Sequence, residues 1–190
     1  MKKENPEFEL RGINHLALVC RDMERTVDFY TNVLGMPLTK TIDLPGNMGQ
    51  HFFFDIGNGD SLAFFWFPNA PEPVLGVSSP RGVPGTGEFL TAIGSMNHVA
   101  FDVSPEKMEE YREKLASKGI RVTEIINHDD SPRQISKEMH PGVFVRSMYF
   151  MDPDGILLEF AAWTRELTED DVKHKPARAV EKHETAAATS

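Results

Sequence analysis

Two stretches of this chain repeat one another. "INHLALVCRDMERTVDFYTNVLG" begins at Ile13, and "MNHVAFDVSPEKMEEYREKLASKG" begins at Met96. In each, an Asn-His dipeptide enters a short apolar run, a helix follows, and a glycine stops it. Asp22 is the expected N-cap of the first helix and Gly35 its stop. Ser104 is the cap of the second, with Pro105 in the first turn and Gly119 at the end. Apolar residues recur at helical spacing at Val27, Tyr30, Val33 and Leu34, and again at Met108, Tyr111 and Leu115. Strand-like runs follow each helix, over 38–44, 52–56 and 61–67, then over 120–127, 143–151 and 156–163. The order β-α-β-β-β therefore occurs twice. A unit this small cannot bury a sheet alone, so the two copies are expected to pair and share a core.

The repeat divides the chain into an N-terminal extension (1–11), a first βαβββ module (12–67), a Pro/Gly-rich linker (68–95), a second module (96–163) and a polar C-terminal tail (164–190). The stretch 68–94 has five Pro and five Gly, and its length suits a lid or a subunit contact as well as a passive connection. The tail is compatible with a helix over 168–182, and its last residues are expected to be disordered.

Strand side chains alternate between faces. Ile13, His15, Ala17 and Val19 share one face of the first strand; Met96, His98, Ala100 and Asp102 share one face of the fifth; Leu157, Glu159 and Ala161 share one face of the last. The opposite faces carry Leu16, Leu18, Val99, Phe101, Leu158 and Phe160, which suit packing under helices. Glu159 is the anomaly. A carboxylate taken out of water without a partner costs several kcal/mol or takes up a proton. A lone strand histidine is usually a hydrogen-bonded core residue. Two at equivalent repeat positions, with a carboxylate stranded in a third strand, point instead to a metal. Two neutral imidazoles and one carboxylate on one face of an octahedral ion suit non-heme Fe(II) and also hold Mn(II). His15, His98 and Glu159 are the candidate ligands.

Composition narrows the class. Hydrophobic content of 40% and charged content of 26% fit a soluble globular protein, and the net charge of −9 argues against nucleic acid and anionic membranes. No apolar run reaches the roughly 18 residues of a membrane helix, and the first ten residues lack the apolar core of a signal peptide. The single cysteine, Cys20, excludes an internal disulfide and makes cytoplasmic placement the default. On an apolar strand it is read as packing.

With "NHLAL…DFYTNVLGM", "NHVAF" and "DPDGILLEF" in view, residues 13–162 resemble the vicinal oxygen chelate superfamily of glyoxalases, bleomycin-resistance proteins, fosfomycin-resistance proteins, epimerases and extradiol dioxygenases. The resemblance implies an α+β fold in which two paired βαβββ modules form an open, cup-shaped mixed sheet with helices outside, around one metal. Aligning "GDSLAFF" with "DGILLEF" sets Phe64 opposite Glu159, where glyoxalase I has a fourth ligand; three ligands remain. The stretch "HPGVFVRSMYFMDPDGILLE" resembles the end of an extradiol catalytic domain, which places His140 nineteen residues and Tyr149 ten residues before Glu159. A further extradiol histidine matches Asp60, a departure from the pattern.

The resemblance thus implies a non-heme Fe(II), or Mn(II), extradiol-type dioxygenase of single-domain type that binds a small catechol-like aromatic substrate and dioxygen, and works as a homodimer. Tyr149 and His140 would act on substrate and oxygen, Asp60 would stand in for a histidine, and Phe64 would line the pocket. Phe52, Phe54 and Trp66 are further aromatic wall candidates. Two alternatives stand beside this reading: a glyoxalase-like metal-dependent lyase, isomerase or epimerase, and a metal-free, ligand-sequestering protein of bleomycin-resistance type. His51, His128, His174 and His183 receive no role.

Overall fold

The computed structural model describes residues 7, 8, 10–84 and 88–178. The first unit runs β1 (His15–Cys20), α1 (Met23–Asp28), β2 (Leu38–Asp43), β3 (Gln50–Gly57) and β4 (Asp60–Trp66). The second runs β5 (Val99–Asp102), α2 (Met108–Ser117), β6 (Ile126–His128), β7 (Val145–Met151) and β8 (Leu157–Trp163). The chain is thus an α+β protein built from two βαβββ units, as the repeat predicts. Strand orders are β1-β4-β3-β2 and β5-β8-β7-β6, in two four-stranded sheets. β1 pairs parallel with β4 and β5 parallel with β8, and the remaining pairs are antiparallel. A parallel pair needs a crossover, which α1 and α2 supply.

Local signals explain the helix ends. Asp22 is extended, and its carboxylate accepts from the Arg25 N–H at 3.0 Å, which caps α1. The helix then widens into a π-helical turn over Phe29–Val33, and the Met36 N–H closes on the Tyr30 carbonyl at 2.9 Å. Gly35 and Gly119 both sit at φ +77°, the left-handed stop that a side chain disfavours. Ser104 does not cap α2; Pro105–Lys107 form a 3-10 turn ahead of it. In the tail, the described residues hold only a 3-10 turn at Glu169–Asp171 in place of a helix over 168–182, and 179–190 lie outside the described residues. Among the described residues no helix is long and apolar enough to cross a membrane.

One core joins the two units. Tyr30, Phe54, Leu62 and Phe64 from the first cluster with Val99, Phe101, Phe150 and Leu158 from the second. Polar clamps cross the same boundary. The buried Tyr30 hydroxyl donates to Asp152 Oδ2 at 3.2 Å, and the Arg21 N–H donates to Asp154 Oδ2 at 2.9 Å. Lys118 Nζ donates to the Asn32 and Val33 carbonyls at 2.9 and 2.5 Å, at the C-terminal end of the first helix, where a cation is favoured. Each sheet gives its helix-side face to this shared core. The opposite faces, which carry the histidines, look away from it.

Candidate metal centre

His98 immediately precedes β5, and Glu159 lies in the middle of β8, its backbone paired with Ala100 on one side and Tyr149 on the other. The alternation therefore puts His98, Ala100, Glu159 and Tyr149 on one face, the open face of the second sheet. His98 Nε2 stands 2.9 Å from Glu159 Oε2. The Glu159 side chain is 7% exposed and that of His98 29%. Burial pushes the Glu159 carboxyl up, but the hydrogen bond and charge of His98, with the neighbouring Ser147 and Tyr149 side chains, outweigh it and leave the carboxyl below its ordinary value. The group that meets the buried carboxylate is an imidazole from the same sheet.

Three further groups border this pair. The Tyr149 ring meets His98 edge-on at 6.1 Å between centroids. Burial, and then the charge of Glu159, push the Tyr149 hydroxyl well above its ordinary value, so it is protonated at neutral pH and has a hydrogen to donate. Ser147 is 1% exposed, and its Oγ sits beside the carboxylate without a partner at normal hydrogen-bond geometry. Phe89, from the linker, brings its ring to 5.6 Å from His98. The sequence reading missed Ser147 and Phe89. Ser147 was legible as a face-mate of Tyr149, but nothing local marks Phe89.

His15 occupies the equivalent place on the first sheet, where its neighbours are Phe53 at 5.5 Å and His51 at 6.4 Å between ring centroids. His51 stacks on Phe65 at 3.6 Å with its Nε2 buried and unpartnered, and burial and then His15 lower its pKa. Phe65 stacks in turn with Phe67 at 5.3 Å. An aromatic row therefore runs from His15 across the open face. It consists of Phe53, Phe65 and Phe67, the phase opposite to the expected Phe52, Phe54, Phe64 and Trp66.

Phe64 needs correcting for the same reason. Ala17 pairs with Ala63 on β4, whereas its repeat counterpart Ala100 pairs with Glu159 on β8. The residue matching Glu159 is Ala63, one position before Phe64. Phe64 is fully buried against Tyr30, with ring centroids 4.8 Å apart, and lines no pocket on the open face. The slip arises at the turns. Asn58 and Gly59, both at positive φ, make a two-residue hairpin before β4, whereas five residues separate the paired Met151 and Leu157. Glycines in turns of different length do not align the strands that follow, and one residue of slip reverses the face. Neither Ala63 nor Phe64 is a ligand, so the absence of a fourth donor there stands.

Asp60 begins β4 in the phase of Leu62 and Phe64, with its carboxylate against the backbone of Gly12, where an added Cβ would come within 3.3 Å of Oδ1. It is not on the face of His15. His140 lies in the loop before β7 with both ring nitrogens engaged: Nε2 is 3.1 Å from Asp129 Oδ2, and Nδ1 accepts from the Gly142 N–H at 3.1 Å. Ser131 and then His140 hold Asp129 below the usual carboxylate range despite its burial. In this conformation His140 fastens its own loop. Cys20 is 2% exposed, and burial pushes its thiol up to about 11, which keeps it protonated and inert. A cavity of about 530 Å³ opens between the linker and the strand ends around Trp66, Met96 and Ile156, and it holds neither His98 nor Glu159.

Among the described residues, no three His, Cys, Asp or Glu side chains converge closely enough to hold a metal ion. One chain supplies two converging donors of the expected kind, while the third, His15, stands on the other sheet. The expected triad is therefore not assembled within a single chain.

A model of the glyoxalase/bleomycin resistance protein/dioxygenase superfamily matches residues 12–160. The chain is 29% identical over 123 residues to a putative ring-cleaving dioxygenase, MhqE, of Bacillus subtilis (strain 168), a match that spans 62% of this chain and 35% of that protein. It is 30% identical over 157 residues to glyoxylase I 4 of Arabidopsis thaliana, covering 82% of this chain and 72% of that one. A solved glyoxalase family protein from Enterococcus faecalis shares the fold with a TM-score of 0.56 and 24% identity, over 80% of this chain and 97% of that one. Repeat, topology, paired sheets and matched residues agree: the chain belongs to the glyoxalase/bleomycin resistance protein/dioxygenase superfamily.

Proposed function

We propose that the chain is a non-heme Fe(II) extradiol-type dioxygenase that opens a catechol-like ring with dioxygen, and that its metal is held between two copies. His98 and Glu159 of one chain would be joined by His15 of the partner subunit, in a cytoplasmic homodimer with two sites. The observation that carries this reading is the His98–Glu159 pair, buried on an open face at 2.9 Å, with its repeat counterpart His15 displayed on the other open face. Folding one chain so that its own His15 met Glu159 would break the core shared by Tyr30, Phe64, Phe150 and Leu158. Apposing the open faces of two copies leaves that core intact.

When bound, such a divalent ion supplies positive charge to two neighbouring substrate oxygens and a place for dioxygen. The residues of the chain do the rest. Tyr149, held protonated, donates to a substrate oxygen. Phe89 covers one side of His98 and excludes water there. The row of Phe53 and Phe65 beside His15 offers a flat apolar wall to an aromatic ring. His140 would take part only after its loop lets go of Asp129.

The test uses the whole 190-residue chain, loaded anaerobically with Fe(II) and then given catechols and air. A coloured ring-opened product is expected. His15→Ala and Glu159→Ala are each expected to be inactive. Refolding the two variants together in equal amounts should restore about a quarter of the wild-type rate, because half the dimers carry one intact site. Activity from a single chain, or no recovery on mixing, would refute the shared site. The glyoxylase match over 82% of the chain supports a second reading, a lyase, isomerase or epimerase on the same site. Turnover that persists without oxygen would select it.

A further inference from the structure

The Asn-His dipeptide that opens each repeat makes the same contact twice. Asn14 Oδ1 lies 2.8 Å from His15 Nδ1, and Asn97 Oδ1 lies 2.7 Å from His98 Nδ1. The orientation of Asn97 is fixed independently, because its Nδ2 donates to the Phe89 carbonyl at 2.8 Å. The atom facing the ring is therefore the amide oxygen, which has no hydrogen to give. His98 Nδ1 must carry the proton, and Nε2 of the neutral ring is bare. That bare nitrogen faces Glu159 Oε2 at 2.9 Å. Two lone pairs at that distance repel. The arrangement is comfortable only with positive charge between them, either a proton on Nε2 or a metal ion drawing both atoms.

We propose that Asn14 and Asn97 are positioning residues: each fixes its neighbouring imidazole as the Nδ1–H tautomer, so that His15 and His98 both present a bare Nε2 to a divalent cation. This rests on the metal reading above and gives a reason for the repeated dipeptide. A ligand histidine usually gives its second N–H to a carboxylate, a carbonyl or water, which sets the tautomer and the ring angle. An amide oxygen does the same without adding negative charge next to Glu159. Through Asn97 and Phe89, the linker also helps to hold the second ligand in place.

The experiment reads tautomers in the metal-free protein by long-range ¹H–¹⁵N correlation of the histidine rings, and Co(II) affinity by its visible absorption. Wild type is expected to show both His15 and His98 as Nδ1–H tautomers once neutral. Asn97→Leu should mix the tautomers of His98 and weaken Co(II) by about 10–100-fold, while Asn97→Asp, which keeps an acceptor, should stay within a few-fold. Asn14→Leu, at an exposed position, should weaken Co(II) in the same way should Asn97→Leu fail to fold. Wild type that binds Co(II), with Leu variants that bind it equally, overturns this inference and leaves the metal reading intact. Wild type that takes up no Co(II) overturns both.

Discussion

Nε2 of His98 stands 2.9 Å from Oε2 of Glu159 where β5 meets β8, and this contact compensates a carboxylate whose side chain is 7% exposed. His98→Ala removes the compensation. The folded Glu159 carboxyl lies below its ordinary value, so its contribution is present above the unfolded value and is lost as pH falls through the folded one. His98→Ala is expected to destabilise the protein by about 1–3 kcal/mol at pH 7. The loss should shrink toward pH 4. Urea midpoints of both proteins at the two pH values check this, and an undiminished loss at pH 4 would contradict it.

Asp152 behaves in the opposite sense. It accepts from the Asp154 and Ile156 N–H groups at 2.8 Å each and from Tyr30, yet burial raises it from 3.8 to about 6. Between those values the folded chain binds more protons than the unfolded one, so stability falls as pH rises from about 4 to 6. Asp152→Asn keeps an acceptor for both N–H groups and removes the charge. It should be more stable than wild type by about 2 kcal/mol at pH 7.5 and nearly equal at pH 4. Thermal unfolding at the two pH values gives the answer.

Phe64 and Phe53 separate core from site. Phe64 is fully buried under Tyr30, and Phe64→Ala should cost about 3–5 kcal/mol while leaving the choice of substrate unchanged. Phe53, half-buried beside His15, should cost about 1–2 kcal/mol on truncation to Ala and change affinity across a panel of catechols. Denaturant midpoints and a ligand titration on each variant distinguish the two roles. A substrate effect confined to Phe64→Ala would reverse the assignment.

Gly49 admits no side chain. It sits at φ +146°, and an added Cβ would come within 2.0 Å of the Trp66 carbonyl oxygen, a backbone atom that cannot move without shifting β4. Gly49→Ala should cost about 3 kcal/mol or more and lower the soluble yield. Gly119→Ala, where nothing lies within 4 Å of the added Cβ, should cost about 1 kcal/mol from its positive φ alone. A calorimetric comparison of the two variants tests the ranking.

The amino-acid sequence by itself determined the β-α-β-β-β repeat, the Asp22 cap, the glycine stops at Gly35 and Gly119, and the faces of His15, His98, Glu159 and Tyr149, because these follow from local dihedral preference and a side-chain period of two. Tertiary structure alone decided how the two turns displace the strands after them, which moved Ala63 into the place given to Phe64, and where the loops carrying Phe89 and His140 come to rest. It also decided that the two sheets meet through their helix-side faces, which leaves His15 on one open face and the His98–Glu159 pair on another. Alternation along a strand states which side chains share a face. Which faces then meet depends on where the largest apolar surface can be buried, and that is a property of the whole chain.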